Sequence, residues 1–460
     1  MALSRRQFFT LAGASAAGTV LMSPLKALYA QSANGQSIRG EGYGALIPDP
    51  NGLLDLPRGF RYRAFSRTGD LMSDGNPVPA AHDGMAAFAG SNNTTILVRN
   101  HELSPGQLST PRAIAPANKQ YDQLCRGGTT TLVVGSDRKL VKHYVSLAGT
   151  YRNCAGGPTP WGSWISCEET TATNRPFTLP DDPQTTLPQG TNRPGDPNNV
   201  SKPHGYNFEV PSTAEGPVDP VPLVAMGRFS HEAIAVDPTT GIVYETEDAG
   251  DGLFYRFIPK VPGVLRQGGT LQALKIKGMP QAITKVNFPV GQPMAVEWVT
   301  IDDPDPAGNT VKVEGFAKGA AQFTRGEGTW FGNNEVYFTC TDGGEARLGQ
   351  VWRYVPDLTG ATGGTIELFA EPSDQSLLER PDNITVAPFG DLIICEDGPD
   401  EQFVRGITQQ GRLYNFARNA LNTSEFAGAC FSPDGQTMFV NIQTPGITFA
   451  VWGPWERRRS

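Results

Sequence analysis

The stretch His231-Glu232-Ala233-Ile234-Ala235-Val236-Asp237-Pro238-Thr239-Thr240-Gly241-Ile242-Val243-Tyr244-Glu245-Thr246-Glu247-Asp248 decides how this chain is read. An apolar run follows a His-Glu pair, Pro-Thr-Thr-Gly carries turn chemistry, and a second β-branched run ends on a Glu-Asp pair. Two short strands joined by a turn form an antiparallel hairpin, which brings its first and last residues back to one edge. The polar pairs at both ends therefore meet at the same edge of one small sheet. Residues 253–257 supply a third strand.

The unit recurs along the chain. Its leading clusters are His82-Asp83-Gly84, Asn153-Cys154-Ala155-Gly156-Gly157, His231-Glu232-Ala233, Arg325-Gly326-Glu327-Gly328, Arg380-Pro381-Asp382-Asn383 and Glu425-Phe426-Ala427-Gly428. The trailing clusters are Asn100-His101-Glu102, Cys167-Glu168-Glu169, Glu247-Asp248, Thr341-Asp342, Glu396-Asp397 and Asn441. Third strands are expected at 413–416 in the fifth unit and 447–452 in the sixth, and outer strands at 140–147, 222–226, 294–301 and 364–369. The sixth unit runs out of chain, and residues 59–65 can complete it. The expectation is an all-β fold, a six-bladed β-propeller with an N-terminal strand closing the last blade. Pro/Asn/Thr-rich stretches near 104–123 and 171–203 read as loop insertions over one face.

Composition agrees with a turn-rich β protein: the 460 residues include 53 glycines and 38 prolines. The net charge of −8 offers no basic excess to neutralise phosphate, so nucleic acid is not an expected partner. Ser4-Arg5-Arg6-Gln7-Phe8-Phe9 and the small-residue apolar run after it read as a twin-arginine export signal over residues 1–30. That run is too short and too rich in Gly, Ala and Ser for a stable membrane anchor. Twin-arginine export machinery is then a partner, the destination is the periplasm or the exterior, and a cofactor can be loaded before export. A flexible segment at 31–47 and a single propeller domain at 48–460 follow, with a monomer expected.

The leading clusters carry the chemistry. Glu232, Glu327, Asp382 and Glu425 occupy equivalent or nearly equivalent places, so a propeller would aim them at one channel, with Asp83 joining them as a possible outer ligand. A ring of carboxylates is costly through mutual repulsion unless cations neutralise it. Oxygen donors in number favour calcium, magnesium or manganese. Cys154, at the place where other units carry an acid, adds a thiolate and points to a softer transition metal beside the hard ones. The trailing acids Glu168, Glu169, Glu247, Asp248, Glu396 and Asp397 can be outer ligands or can cap turns and pair with arginines. His101 and His231 are better read as hydrogen-bonded residues than as ligands, and Cys340, Cys395 and Cys430 as small buried hydrophobes. Arg325 and Arg380 each precede a leading carboxylate by two positions, where a guanidinium can grip phosphate bidentately. A salt bridge to the neighbouring acid is the plainer role, most of all for Arg380.

The twin-arginine sequence, Asn153-Cys154-Ala155-Gly156-Gly157 running into Pro160-Trp161-Gly162-Ser163-Trp164 and Cys167-Glu168-Glu169, the segment Gly227-Arg228-Phe229-Ser230-His231-Glu232-Ala233, and Arg325-Gly326-Glu327-Gly328 together resemble the PhoX-type bacterial alkaline phosphatases. The resemblance runs from about Pro48 to the C-terminus. It implies a six-bladed propeller with iron and calcium ions clustered in its channel, hydrolysing a small-molecule phosphoester, a phosphate monoester, outside the cytoplasm. It further implies Cys154 and Glu232 as iron-side ligands with the Ala233 carbonyl nearby, Glu327 as a cluster ligand and Arg325 as a phosphate-binding residue. Asp382 and Glu425 rest on the repeat alone. Other classes fit the same repeat: a calcium-dependent propeller hydrolase of lactonase or phytase type, which needs no thiolate, and a non-catalytic binding propeller.

Overall fold

The computed structural model describes residues 42–174, 199–357, 363–408 and 412–457, together with the short strands Thr178–Leu179 and Asp182–Thr186. The export signal expected at 1–30 and most of the insertion at 171–203 lie outside the described residues. Each leading cluster opens an innermost strand: His82–Ala89, Asn153–Pro158, His231–Val236, Gly326–Gly332, Pro381–Val386 and Phe426–Phe431. Each pairs antiparallel with the strand that follows it, as the hairpin spacing requires. These inner strands pack against one another in cyclic order, the last against the first, so the all-β fold is a closed, propeller-like ring.

The ring is stitched shut by the N-terminal segment. Arg61–Phe65 pairs with the last strand, Ile447–Trp452, Phe65 lying opposite Thr448. Leu54–Pro57 adds to Leu413–Asn419 in the neighbouring sheet. Apolar side chains from adjacent sheets fill the wedges between them. Phe254 stacks on Phe338 at 4.3 Å between ring centroids, which joins the third and fourth units. Met294–Thr300 bridges the same two units by pairing with Gly364–Ala370, fusing them into one nine-stranded sheet.

The outer strands depart from expectation in three places. Residues 222–226 give one isolated bridge, Phe208 to Pro222, and a 3-10 turn at Val224–Met226; Pro217, Pro220 and Pro222 have no N–H to donate to a ladder. In the third unit the fourth strand is Gly269–Ile276, and Met294–Thr300 follows as a fifth. In the fifth unit Phe403–Ile407 is the third strand and Leu413–Asn419 the fourth.

Every inner strand carries a β-bulge near its start, after the first pairing in five units and after the second in the sixth. His82 lies opposite His101 but Met85 opposite Arg99, so three steps on one strand face two on the other. The same break separates Asn153 from Gly156, His231 from Ile234, Gly326 from Thr329, Pro381 from Ile384 and Ala427 from Cys430. The extra residue re-aims side chains at the strand start. In four units the residue before the strand is left-handed: Ala81 (φ 50°), Arg152 (φ 50°), Arg325 (φ 51°) and Arg380 (φ 43°). Such backbone is unfavourable by about 1–3 kcal/mol per residue and concentrates where function over-determines it.

Tight closure around the axis uses small residues. A Cβ on Gly157 would stand 1.9 Å from the Ile234 carbonyl oxygen of the next inner strand. Gly157→Ala is therefore expected to destabilise the ring by about 1–3 kcal/mol through overpacking, read as a lower urea midpoint with an unchanged m-value; an unchanged midpoint would show that the second and third units part freely.

Candidate metal centre

The repeat delivers two concentric sets of residues to one end of the ring axis. In all six units the residue just past the second strand donates its N–H to the residue just before the first. Glu102 donates to Ala81, Glu169 to Arg152, Asp248 to Ser230, Thr341 to Arg325, Asp397 to Arg380 and Gln443 to Glu425, over 3.0–3.3 Å. This shared bond fixes the register across units. The inner position, two residues after each acceptor, holds Asp83, Cys154, Glu232, Glu327, Asp382 and Ala427. Glu425 is thus not equivalent to the other acids. The sixth unit has alanine at the ligand position, and its carboxylate comes from the place that Arg152, Arg325 and Arg380 occupy elsewhere.

A cavity of about 240 Å³ lies at this end, lined by Asp83, Glu102, Arg152, Cys154, Glu169, Glu232, Arg325, Glu327, Asp382, Asp397, Glu425 and Gln443. Eight of these are carboxylates and only two are cationic. Burial and then mutual repulsion push Asp83, Glu232, Glu327 and Glu425 well above the usual carboxylate range. Burial, followed by the charge on Asp397, pushes Asp382 up to about 8. Among the described residues no hydrogen bond reaches the carboxylates of Glu232 and Glu425. Buried acids without donors call for cations.

The donor atoms fall into three groups, each within 4.8 Å: Cys154, Glu169 and Glu232; Glu232, Glu327 and Asp382; Asp83, Glu102 and Glu425. Glu232 belongs to two of them. The first group is mixed sulfur and oxygen, and the others are oxygen only, a donor chemistry that fits one softer ion beside harder ones. Cys154 Sγ lies 3.5 Å from the His231 carbonyl and 3.6 Å from that of Glu232. Burial, then Glu232, pushes its thiol well up, so it becomes a thiolate there only with a cation at hand.

Alternation along the strand sorts the trailing acids. Glu168, Glu247 and Glu396 are the last strand residues and turn back into their own sheets. Glu168 meets His204 and the Tyr151 amide, Glu247 the Tyr255 hydroxyl, and Glu396 the Arg405 guanidinium at 2.8 Å. One residue on, Glu169 and Asp397 line the cavity, while Asp248 accepts from Arg325 Nε at 2.7 Å. Ala233 faces the narrow axial channel below, and its carbonyl accepts from Thr246. His231 is satisfied by the Gly227 carbonyl and Asn207, and His101 by the Ala80 carbonyl and Thr130.

Two guanidinium groups sit at the rim, each joining carboxylates of different units. Arg325 bonds Asp248 and, at 2.8 Å, Glu327; Arg152 bonds Glu102 and Glu169. Burial works against both charges, but Glu327 and Asp248 hold Arg325, and Glu169 and Glu102 hold Arg152, above the ordinary arginine value. In neither does Nη1 bond a described residue. Arg380, despite its equivalent place, is exposed and does not line the cavity. Arg152, Glu102 and Gln443 join the cavity beyond the residues that the sequence pattern singles out. Their signal was the register shared with Arg325, Glu169 and Asp397.

A family model described as "Alkaline phosphatase PhoX" matches residues 41–446. Among solved structures, Pseudomonas fluorescens PhoX in complex with vanadate, a transition state analogue, superposes with a TM-score of 0.69 at 17% identity, covering 91% of this chain and 98% of that one. A gluconolactonase from Xanthomonas campestris gives a TM-score of 0.41 at 13% identity, covering 89% of this chain and 98% of that one. A search of the curated proteins finds no match.

Proposed function

The chain belongs to the alkaline phosphatase PhoX family and is a phosphatase, and on that premise we propose that it hydrolyses phosphate monoesters in the periplasm or outside the cell, as a monomer, with iron and calcium ions held in the axial cavity. The observation that carries this reading is the cavity itself, eight carboxylates and one thiol beneath two rim arginines. Cys154, Glu169 and Glu232 would hold the softer ion, iron. Glu232, Glu327 and Asp382, and separately Asp83, Glu102 and Glu425, would hold calcium. When bound, these cations supply Lewis-acid charge to the phosphoryl oxygens and lower the pKa of an attacking water.

The protein's own residues do the positioning. Arg325 and Arg152 are each braced on two carboxylates, so their guanidinium planes are fixed before substrate arrives. Their uncommitted Nη1 groups can take phosphoryl oxygens and offset the charge that builds in the transition state. A mouth of charged groups with no apolar wall recognises the phosphoryl group and leaves the alcohol portion outside, which favours a broad range of monoesters. Among the described residues no helix is long and apolar enough to cross a membrane. The twin-arginine sequence supports export after folding and metal loading.

Arg325 gives the test. Arg325→Gln is expected to lower kcat/KM for p-nitrophenyl phosphate by about 10²–10³, the usual loss for one transition-state donor. Arg325→Lys should recover only part of this, because an ammonium cannot brace on two acids and still present a planar fork. Metal content is measured alongside. Unchanged kcat/KM in both variants would remove Arg325 from the phosphate site.

A further inference from the structure

A second cluster of metal-type donors lies away from the axial cavity, and nothing in the phosphatase chemistry uses it. Asp122, Cys125 and His204 are 1%, 0% and 0% exposed. Their donor atoms all fall within 4.8 Å of one another. None of the three lines the catalytic cavity.

We propose that Asp122, Cys125 and His204 form a separate structural site for one zinc-class divalent ion, which clips the end of the long insertion of the second unit to the loop entering strand Gly127–Val134. His204 Nε2 stands 3.4 Å from Cys125 Sγ and 3.5 Å from Asp122 Oδ2. The second distance is longer than an ordinary N–H···O hydrogen bond. Both match the edges of a tetrahedron around zinc, about 3.3 Å for nitrogen to oxygen and about 3.6 Å for nitrogen to sulfur at normal bond lengths. A fourth donor would be a water or a main-chain oxygen.

The surroundings point the imidazole at this spot. His204 Nδ1 lies 2.7 Å from Glu168 Oε1. Glu168 is itself held by the amides of Tyr151, Gly205 and Tyr206. A carboxylate on one ring nitrogen holds a proton there, the arrangement that orients metal-binding histidines, and a bound ion would take the place of any proton on the other nitrogen. Asp122 is fixed by the amides of Leu124 and Ser201, at 2.9 and 2.6 Å. Cys125 is brought round by a turn, its N–H on the Asp122 carbonyl. The rings of Tyr121 and Tyr151 stand edge-on to His204 at 5.2 and 5.8 Å and shield the site from water. Binding would release the thiol proton, so occupancy rises with pH.

The site also explains why Glu168 and Glu169 part ways. Glu168 anchors the clip while its neighbour faces the catalytic cavity, so an ion here would stiffen the strand end that presents Glu169.

The experiment is metal analysis of the full chain after dialysis against a fixed concentration of zinc alone, with wild type beside Cys125→Ser and His204→Asn. The wild type is expected to retain one more equivalent of zinc than either variant, and zinc should raise the Tm of the wild type further than that of either variant. Equal zinc in all three overturns the proposal. Because either substitution can lower the folded yield, zinc-edge X-ray absorption is also recorded on Cys154→Ala, in which the cavity thiol is gone. Sulfur among the nearest neighbours of zinc supports the site; oxygen and nitrogen neighbours alone overturn it.

Discussion

Cys154→Ala is expected to remove the softer metal ion and the phosphatase activity together. Cys154 is the one thiol lining the cavity, and it shares a donor group with Glu169 and Glu232. Glu232 is common to the neighbouring oxygen-only group, so losing the sulfur disturbs both. Changes to residues that merely support a ligand cost about 10–100-fold in affinity or activity, and loss of the ligand itself should exceed that, about 10³-fold in kcat/KM. Alanine is smaller than cysteine and fits the same bulged backbone, so the fold should survive. Cys430→Ala is the control: that thiol packs among Phe65, Met85 and Phe439 in an apolar wedge and does not line the cavity. It should cost about 1 kcal/mol of stability and leave metal and turnover intact. Iron content and p-nitrophenyl phosphate turnover are measured on both. Full iron and full activity in Cys154→Ala would sink the assignment of the thiol as a ligand.

The hairpin unit was legible because its signal is local: polar pair, apolar run, turn, apolar run, polar pair. The ring followed from repetition, and Arg61–Phe65 closing the last sheet followed from the strand that the sixth unit lacked. What escaped depends on contacts the sequence does not display. The N–H bond shared by all six units decides which residue of a leading cluster is equivalent to the others, and in the sixth unit it puts Ala427 at that place and leaves Glu425 two residues before it. The strand's two-residue alternation splits each double-acid pair, yet the choice between Glu168 and Glu169 is set by where the strand ends. Arg152 was hidden by its cluster, which reads as Asn153-Cys154 when viewed alone. Superposed on Arg325, it takes the same left-handed position and the same role of bracing two acids. Asp122 and Cys125 meet His204 only across four strands and the insertion near 171–203, so no spacing rule could have joined them.

Stripping the cations should turn the cavity into the weak point of the fold, and the effect should grow with pH. In the cation-free folded chain, burial and mutual repulsion raise Asp83, Glu169, Glu232, Glu327 and Glu425 well above the usual carboxylate range, and Asp382 loses its proton only at about 8. In the unfolded chain the same acids release theirs near about 4. Between those values the folded state binds more protons than the unfolded one, so its stability falls as pH rises. Bound cations reverse the sign, because they favour the ionised carboxylates and bind more tightly as protons leave. Urea midpoints of chelator-treated and cation-loaded protein should therefore lie close together at pH 5 and separate by pH 8. The gap at pH 8 should be on the order of several kcal/mol, since ligand binding to the native state alone adds stability as the logarithm of the free ligand concentration over its dissociation constant. Glu232→Gln, which removes one charge shared by two donor groups, should raise the pH 8 midpoint of the chelated protein while lowering that of the loaded protein. Parallel midpoints across this range would mean that the carboxylate ring is neutralised by something other than cations, and the metal-centre reading would fall with it.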